Sequence, residues 1–321
     1  MITRSGRGAE WRKLYYFYPM DFMMAEAGKN RSTIRFFMVL ILTYTGLIAI
    51  GNLPFLFYLN IKGIDHAVLN NQQEMIRLVG ENVFLVFQLL PFVVGLIVLL
   101  VGASLIQGRT IITLFTARSR FSWQRFFTAF CITLTLLLIS LMFQWYSGSL
   151  RWNLKWESFV PLLVISLLIV PIQATFEEVL FRGFLFQKAG QFLRTGFMTV
   201  LFTGVLFGLM HMGNPEVKIF GPQIMAYYIL AGLFLGFLVL MDDGLELAIG
   251  YHVCNNLFSS LLITNEWQVF RTDALFINTD PPLFEWNILT GLLLQFTVFF
   301  LVFRKKFHWK QVKEKLFSSR E

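Results

Sequence analysis

Charge is scarce in this sequence. Asp, Glu, Lys and Arg make up 14% of its 321 residues, which argues against the two soluble domains that the length alone would allow. Cysteine occurs only twice, as Cys131 and Cys254, both within apolar runs, so no disulfide framework is expected. There is no internal repeat and no low-complexity linker, and no cleavable signal peptide is expected, because the N-terminus is long, polar and aromatic before the first apolar run. The HExxH pair that marks a helical zinc site is missing. The apolar runs lack the alternation of an outer-membrane barrel.

What is abundant is apolar. Hydrophobic residues reach 56%, phenylalanine alone numbers 37, and the mean hydropathy is +0.63. Eight runs approach or exceed the roughly 20 residues that cross a bilayer core: 35–59, 83–106, 126–146, 159–188 with a break at Pro171, 196–212, 223–241, 245–263 and 286–303. With no water in the lipid to satisfy backbone groups, these runs should be helices. The sequence therefore predicts an all-α, polytopic membrane protein with about eight transmembrane helices. Its tail, RKKFHWKQVKEKLFSSR, is expected to form a cytoplasmic amphipathic helix on the membrane surface.

The net charge of +8 is not a nucleic-acid footprint. Of 27 Lys and Arg residues, 21 fall in 1–35, 107–125, 182–195 and 304–320, which all lie on one side of an eight-span arrangement. The positive-inside rule puts both termini and these loops in the cytoplasm, with attraction to anionic lipid as a second role. Only Lys62, Arg77, Arg151, Lys155, Lys218 and Arg271 remain for the other side. The expected location is the cell membrane.

Ionisable side chains within spans are rare and usually mark function. Here they cluster in the C-terminal half. Glu177, Glu178 and Arg182 lie on the fourth run, His211 closes the fifth, and His252, Asn255 and Asn256 sit on the seventh. Glu178 and Arg182 are four apart with the acid first, the favourable order for an intrahelical pair. Glu177 is turned about 100° away and lacks a local partner, which suits a proton acceptor or donor. His252 and Asn256 share a helix face at the same spacing. They could chelate an ion, present two donors to one oxygen, or clamp two helices. Asn255 points elsewhere and reads as helix–helix glue. Taken together, one Glu, two His and one Asn on three helices fit a hydrolytic site: water activation by Glu and His, oxyanion stabilisation by His and Asn. Two His and a Glu could instead hold zinc, with His211, His252 and Glu177 as ligands.

The stretches EEVLFR, FGLMH and HVCNN resemble, in order and without departure, the EExxxR, FxxxH and HxxxN motifs of the CAAX prenyl protease 2 family. That family includes the lysostaphin-resistance-protein-A-like (CPBP) intramembrane proteases. The resemblance covers about 157–263. It implies a catalytic region over 157–263; the apolar runs and the charge distribution divide the rest into a cytoplasmic segment 1–34, a three-helix region 35–156, and an external loop, last span and basic tail over 264–321. It implies that Glu177 activates water with His211 as partner, that His252 and Asn256 stabilise the oxyanion or bind a metal, and that Glu178 and Arg182 support them. The implied activity is an intramembrane endopeptidase acting near the cytoplasmic face, on a membrane-associated peptide or protein that could be lipidated, as in CaaX processing. Competing readings are a non-catalytic immunity or scaffold protein and a proton-coupled transporter; the second lacks the matched broken helices of inverted repeats.

Helix arithmetic raises one difficulty. Counted from the cytoplasmic ends at about 1.5 Å per residue, Glu177 lies about 16 Å deep, His252 about 12 Å and His211 about 24 Å.

Overall fold

The computed structural model describes residues 21–25 and 32–319; most of the segment 1–34 lies outside the described residues. The apolar runs are helices, as the missing water requires. They are α1 (Thr33–Lys62), α3 (Glu81–Leu105), α4 (Trp123–Tyr146), α5 (Trp156–Leu193), α8 (Pro222–Asp242) and α10 (Ile288–Lys306), each long and apolar enough to cross a membrane. The other two of the eight expected spans are also helices, but shorter: α6 (Gly196–Leu209) and α9 (Glu246–Leu261). Short helices α2 (Gln72–Val79), α7 (Pro215–Phe220) and α11 (Val312–Phe317) complete the set. Outward faces carry bare apolar side chains such as Phe57, Phe143, Leu168 and Leu294, which only lipid can cover at low cost. The chain is a mostly helical integral membrane protein.

Two local expectations fail. The fourth run does not break at Pro171: α5 passes through Pro161 and Pro171 and departs from α geometry only at a π-helical turn, Val179–Leu185. Nor is the tail one amphipathic helix. α10 ends at Lys306, and α11 docks against the bundle, where Lys315 Nζ donates to the carbonyls of Leu240 and Met241. A small sheet also interrupts the all-helical plan. β1 (Leu150–Trp152) pairs antiparallel with β3 (Phe276–Asn278), and β2 (Ile263–Thr264) pairs parallel with β3 on its other side.

The two ends of the bundle differ chemically. At one end Arg118 bridges Asp242 and Glu246, and Arg125 reaches Asp242 as well. Lys315 pairs with Asp243, and Trp309 Nε1 donates to Asp242. This end collects the basic loops. At the other end lie the sheet, the Lys155–Asp273 pair and the contact between Phe220 and Trp267. Between them α9 packs on α4 and α5, and α6 packs on α8. α6 and α8 come close enough that a Cβ at Gly232 would collide with the carbonyl of Gly204, the small-residue contact that lets membrane helices approach.

Candidate active site

Glu178 points into the bundle and is fully buried, as is Arg182. A charge there is tolerable only if paired and hydrogen-bonded. Arg182 Nη1 donates to Glu178 Oε1 at 2.9 Å and Nη2 to the Gly232 carbonyl at 3.0 Å. The guanidinium also lies 4.1 Å from the centre of the Phe207 ring, a favourable cation–π placement. The π-helical turn that carries Arg182 begins at the residue after Glu178, a distortion frequent at functional sites.

His252, from α9, stands between the two glutamates. Its Nδ1 is 2.8 Å from Glu178 Oε1 and its Nε2 is 3.6 Å from Glu177 Oε2. A carboxylate already paired with arginine can only accept, so Nδ1 carries the proton and Nε2 turns to Glu177. Gln173, one turn before Glu177, donates to Glu177 Oε1 at 2.6 Å and accepts from Asn256 Nδ2 at 2.9 Å. Glu177 Oε2 is buried with no hydrogen-bond partner among the described residues. His211, just past the end of α6, holds its Nδ1 2.8 Å from the Phe207 carbonyl. That carbonyl accepts, leaving Nε2 as the free ring nitrogen. The imidazole stacks on Tyr228 at 4.6 Å between centroids.

Glu177, His211, His252 and Asn256 line one cavity of about 410 Å³. Glu178 and Arg182 stand behind it. The nearest imidazole to Glu177 is therefore His252, while His211 faces the same space from another wall. Asn255, expected to point elsewhere, also lines the cavity, and its Nδ2 lies 3.4 Å from Asn256 Oδ1. The trio His211, His252 and Glu177 does not make a zinc site. Among the described residues no three His, Cys, Asp or Glu side chains gather to hold an ion.

Sequence reasoning missed Gln173, Asn214, Glu216 and Tyr228, which also wall the cavity. Glu216 is the most unusual of them. It lies on α7 and is 9% exposed. One oxygen accepts from the Val269 N–H at 2.8 Å and the other is unpartnered. Burial pushes its carboxyl above the usual range, against the opposing pull of that N–H. A glutamate four residues past a span reads in sequence as a solvated loop charge. Only the fold of 264–272 over it takes it out of water.

The depth difficulty also dissolves. α5 continues to Leu193, so Glu177 lies sixteen residues, or about 24 Å, from that end, level with His211. α9 starts inside the protein: Leu245 and Glu246 are fully buried, and Leu245 N–H donates to the Phe115 carbonyl at 2.7 Å. Straight helices counted from the membrane surface mislead because one of these helices does not begin there.

Residues 156–258 match the family described as Type II CAAX prenyl endopeptidase Rce1-like. The uncharacterized protein YyaK of Bacillus subtilis (strain 168) is 28% identical to the chain over 306 residues, which is 91% of this chain and 98% of that protein. No solved structure matches the chain significantly. The matched stretch holds the carboxylates, both imidazoles and the asparagine of the cavity, so the similarity to the Rce1-like, type II CAAX prenyl endopeptidases falls on the part of the chain that builds the site.

Proposed function

We propose that this protein is an intramembrane endopeptidase that hydrolyses a peptide bond in the cavity of Glu177. The observation that carries the reading is the buried, unpartnered Glu177 Oε2, 3.6 Å from His252 Nε2 and open to a polar cavity. A water held there meets a carboxylate able to take its proton, with His211 on a facing wall as the partner base. The resulting hydroxide adds to the carbonyl carbon of the substrate. Asn256 Nδ2 supplies a donor for the developing oxyanion, and His252 Nε2 becomes a second when it takes up the proton that Glu177 removed from water. Collapse breaks the C–N bond; the proton taken from water goes to the leaving amine, giving one acid and one amine from peptide and water. Asn256 has to release Gln173 to serve, a small rotation within the cavity. Glu178 and Arg182 hold His252 in orientation.

The test is cleavage by purified protein in detergent or vesicles. Glu177→Gln and His211→Ala should each lower turnover by about a hundredfold to ten-thousandfold, the usual worth of a positioned acid or base, while both variants remain folded. Turnover retained in both refutes the reading.

A further inference from the structure

We infer that the cavity opens toward the extracytoplasmic face, so that the substrate is a peptide segment presented outside the cytoplasm. This rests on the hydrolytic reading of the same cavity and names the side from which it is filled.

Three observations converge. The first is where the walls come from. Beyond the motif residues, the cavity is lined by Asn214 and Glu216 after α6, and by Gln268, Val269 and Phe270 between β2 and β3. Both segments lie at the end of the bundle that carries the sheet. They are tied together there by the Val269–Glu216 hydrogen bond and the Phe220–Trp267 contact.

The second is what closes the opposite direction. Glu178, Arg182, Phe184 and Leu245 are all fully buried. The guanidinium is sealed between the Gly232 carbonyl and the Phe207 ring. Beyond it Leu245 and Phe115 join the helix junction to the 107–122 loop. A peptide coming from the basic end would have to displace a buried ion pair and leave a charge without its partner. From the sheet end it meets asparagine, glutamine and serine side chains.

The third is charge. The sealed end holds the arginine- and lysine-rich loops, whereas the sheet end holds only Lys62, Arg77, Arg151, Lys155, Lys218 and Arg271 among nine acids, from Asp65 to Glu285. The excess of Lys and Arg fixes the sealed end in the cytoplasm. The open end then faces outward. A lipidated C-terminus held at the cytoplasmic leaflet cannot reach such a mouth; a secreted or membrane protein's external segment can.

Cysteine accessibility reads this without requiring turnover, so failure of the sidedness and failure of the hydrolysis are separable. In a full-length chain with Cys131 and Cys254 replaced by alanine, single cysteines are placed by Glu266→Cys at the sheet end, Arg120→Cys at the basic end and Ser259→Cys in the cavity wall. Glu266 and Arg120 are exposed. Intact cells are treated with a membrane-impermeant maleimide, then permeabilised and treated again. The inference expects the Glu266→Cys and Ser259→Cys chains to label before permeabilisation and the Arg120→Cys chain only after it. Labelling of Arg120→Cys in intact cells overturns the orientation. Labelling of Glu266→Cys but not Ser259→Cys before permeabilisation overturns the opening. Loss of all labelling before permeabilisation overturns both.

Discussion

His252 Nδ1 and Glu178 Oε1 are 2.8 Å apart inside the bundle, and the same oxygen takes Arg182 Nη1 at 2.9 Å. One carboxylate thus neutralises a buried guanidinium and fixes the face of an imidazole. The other nitrogen of that imidazole is left toward Glu177. Orientation of the site and tolerance of its charge are properties of a single side chain, and they should be lost together.

Glu178→Gln should therefore destabilise strongly, by about 3–5 kcal/mol, because it leaves the guanidinium of Arg182 buried without its counter-charge. Glu178→Gln combined with Arg182→Met should regain much of that stability, since the double change removes the charge along with its partner. Thermal unfolding in detergent of the two single variants and the double variant closes the cycle. Equal instability of the single and the double variant would mean that the pair is not what holds this region.

Gly232→Ala tests the contact that gives Arg182 its second acceptor. A methyl group there meets backbone, the Gly204 carbonyl, rather than a side chain able to swing away. α6 and α8 must separate, at about 1–3 kcal/mol for forced overpacking. His211 and Tyr228 ride on these two helices and stack on each other, so the same variant should lose turnover at temperatures where it is still folded. Melting temperature and cleavage rate measured side by side check both effects.

The motif residues were legible because the lipid makes them conspicuous: a glutamate in an apolar run is costly, so Glu177, His211, His252 and Asn256 stood out before any fold was known. Their convergence was not legible. It depends on α9 starting inside the protein under the 107–122 loop and on α5 running past Pro171 to Leu193, both tertiary facts. The same limit hid Gln173 and Glu216. A glutamine on a span looks like helix glue, and a loop glutamate looks hydrated until another loop covers it. The three short strands carry too few residues for a period-2 pattern, and β3 joins β1, which lies far from it in sequence, as well as the nearby β2.

Glu216 should make stability depend on pH in an uncommon direction. Burial raises its carboxyl above the ordinary range, so the folded protein keeps that proton where the unfolded chain releases it. The contribution is complete below the unfolded-chain value, about 4.3, and is lost as pH rises through the higher folded value. Glu216→Gln keeps an oxygen for the Val269 N–H and has no proton to lose. Its melting temperature should match the wild type under acid conditions and exceed it increasingly toward neutrality. A gap between the two proteins that stays constant with pH would exclude the titration of Glu216 as its source.

Gln173 links Asn256 to Glu177 by two hydrogen bonds, one accepted and one donated. It touches no reacting atom in the proposed hydrolysis, so its role is to aim Glu177 Oε2 at the water and to hold Asn256 until substrate arrives. Gln173→Leu keeps much of the side-chain volume and removes both bonds. A misaligned base costs on the order of a hundredfold in turnover, so kcat should fall by about that much with little change in KM. Gln173→Glu is the more informative companion. It preserves the acceptor for Asn256 but sets a second carboxylate against Glu177 Oε1, where one of the two must hold a proton. The variant should regain activity as pH falls, whereas the leucine variant should not. If both variants share the wild-type pH profile and rate, Gln173 is packing alone.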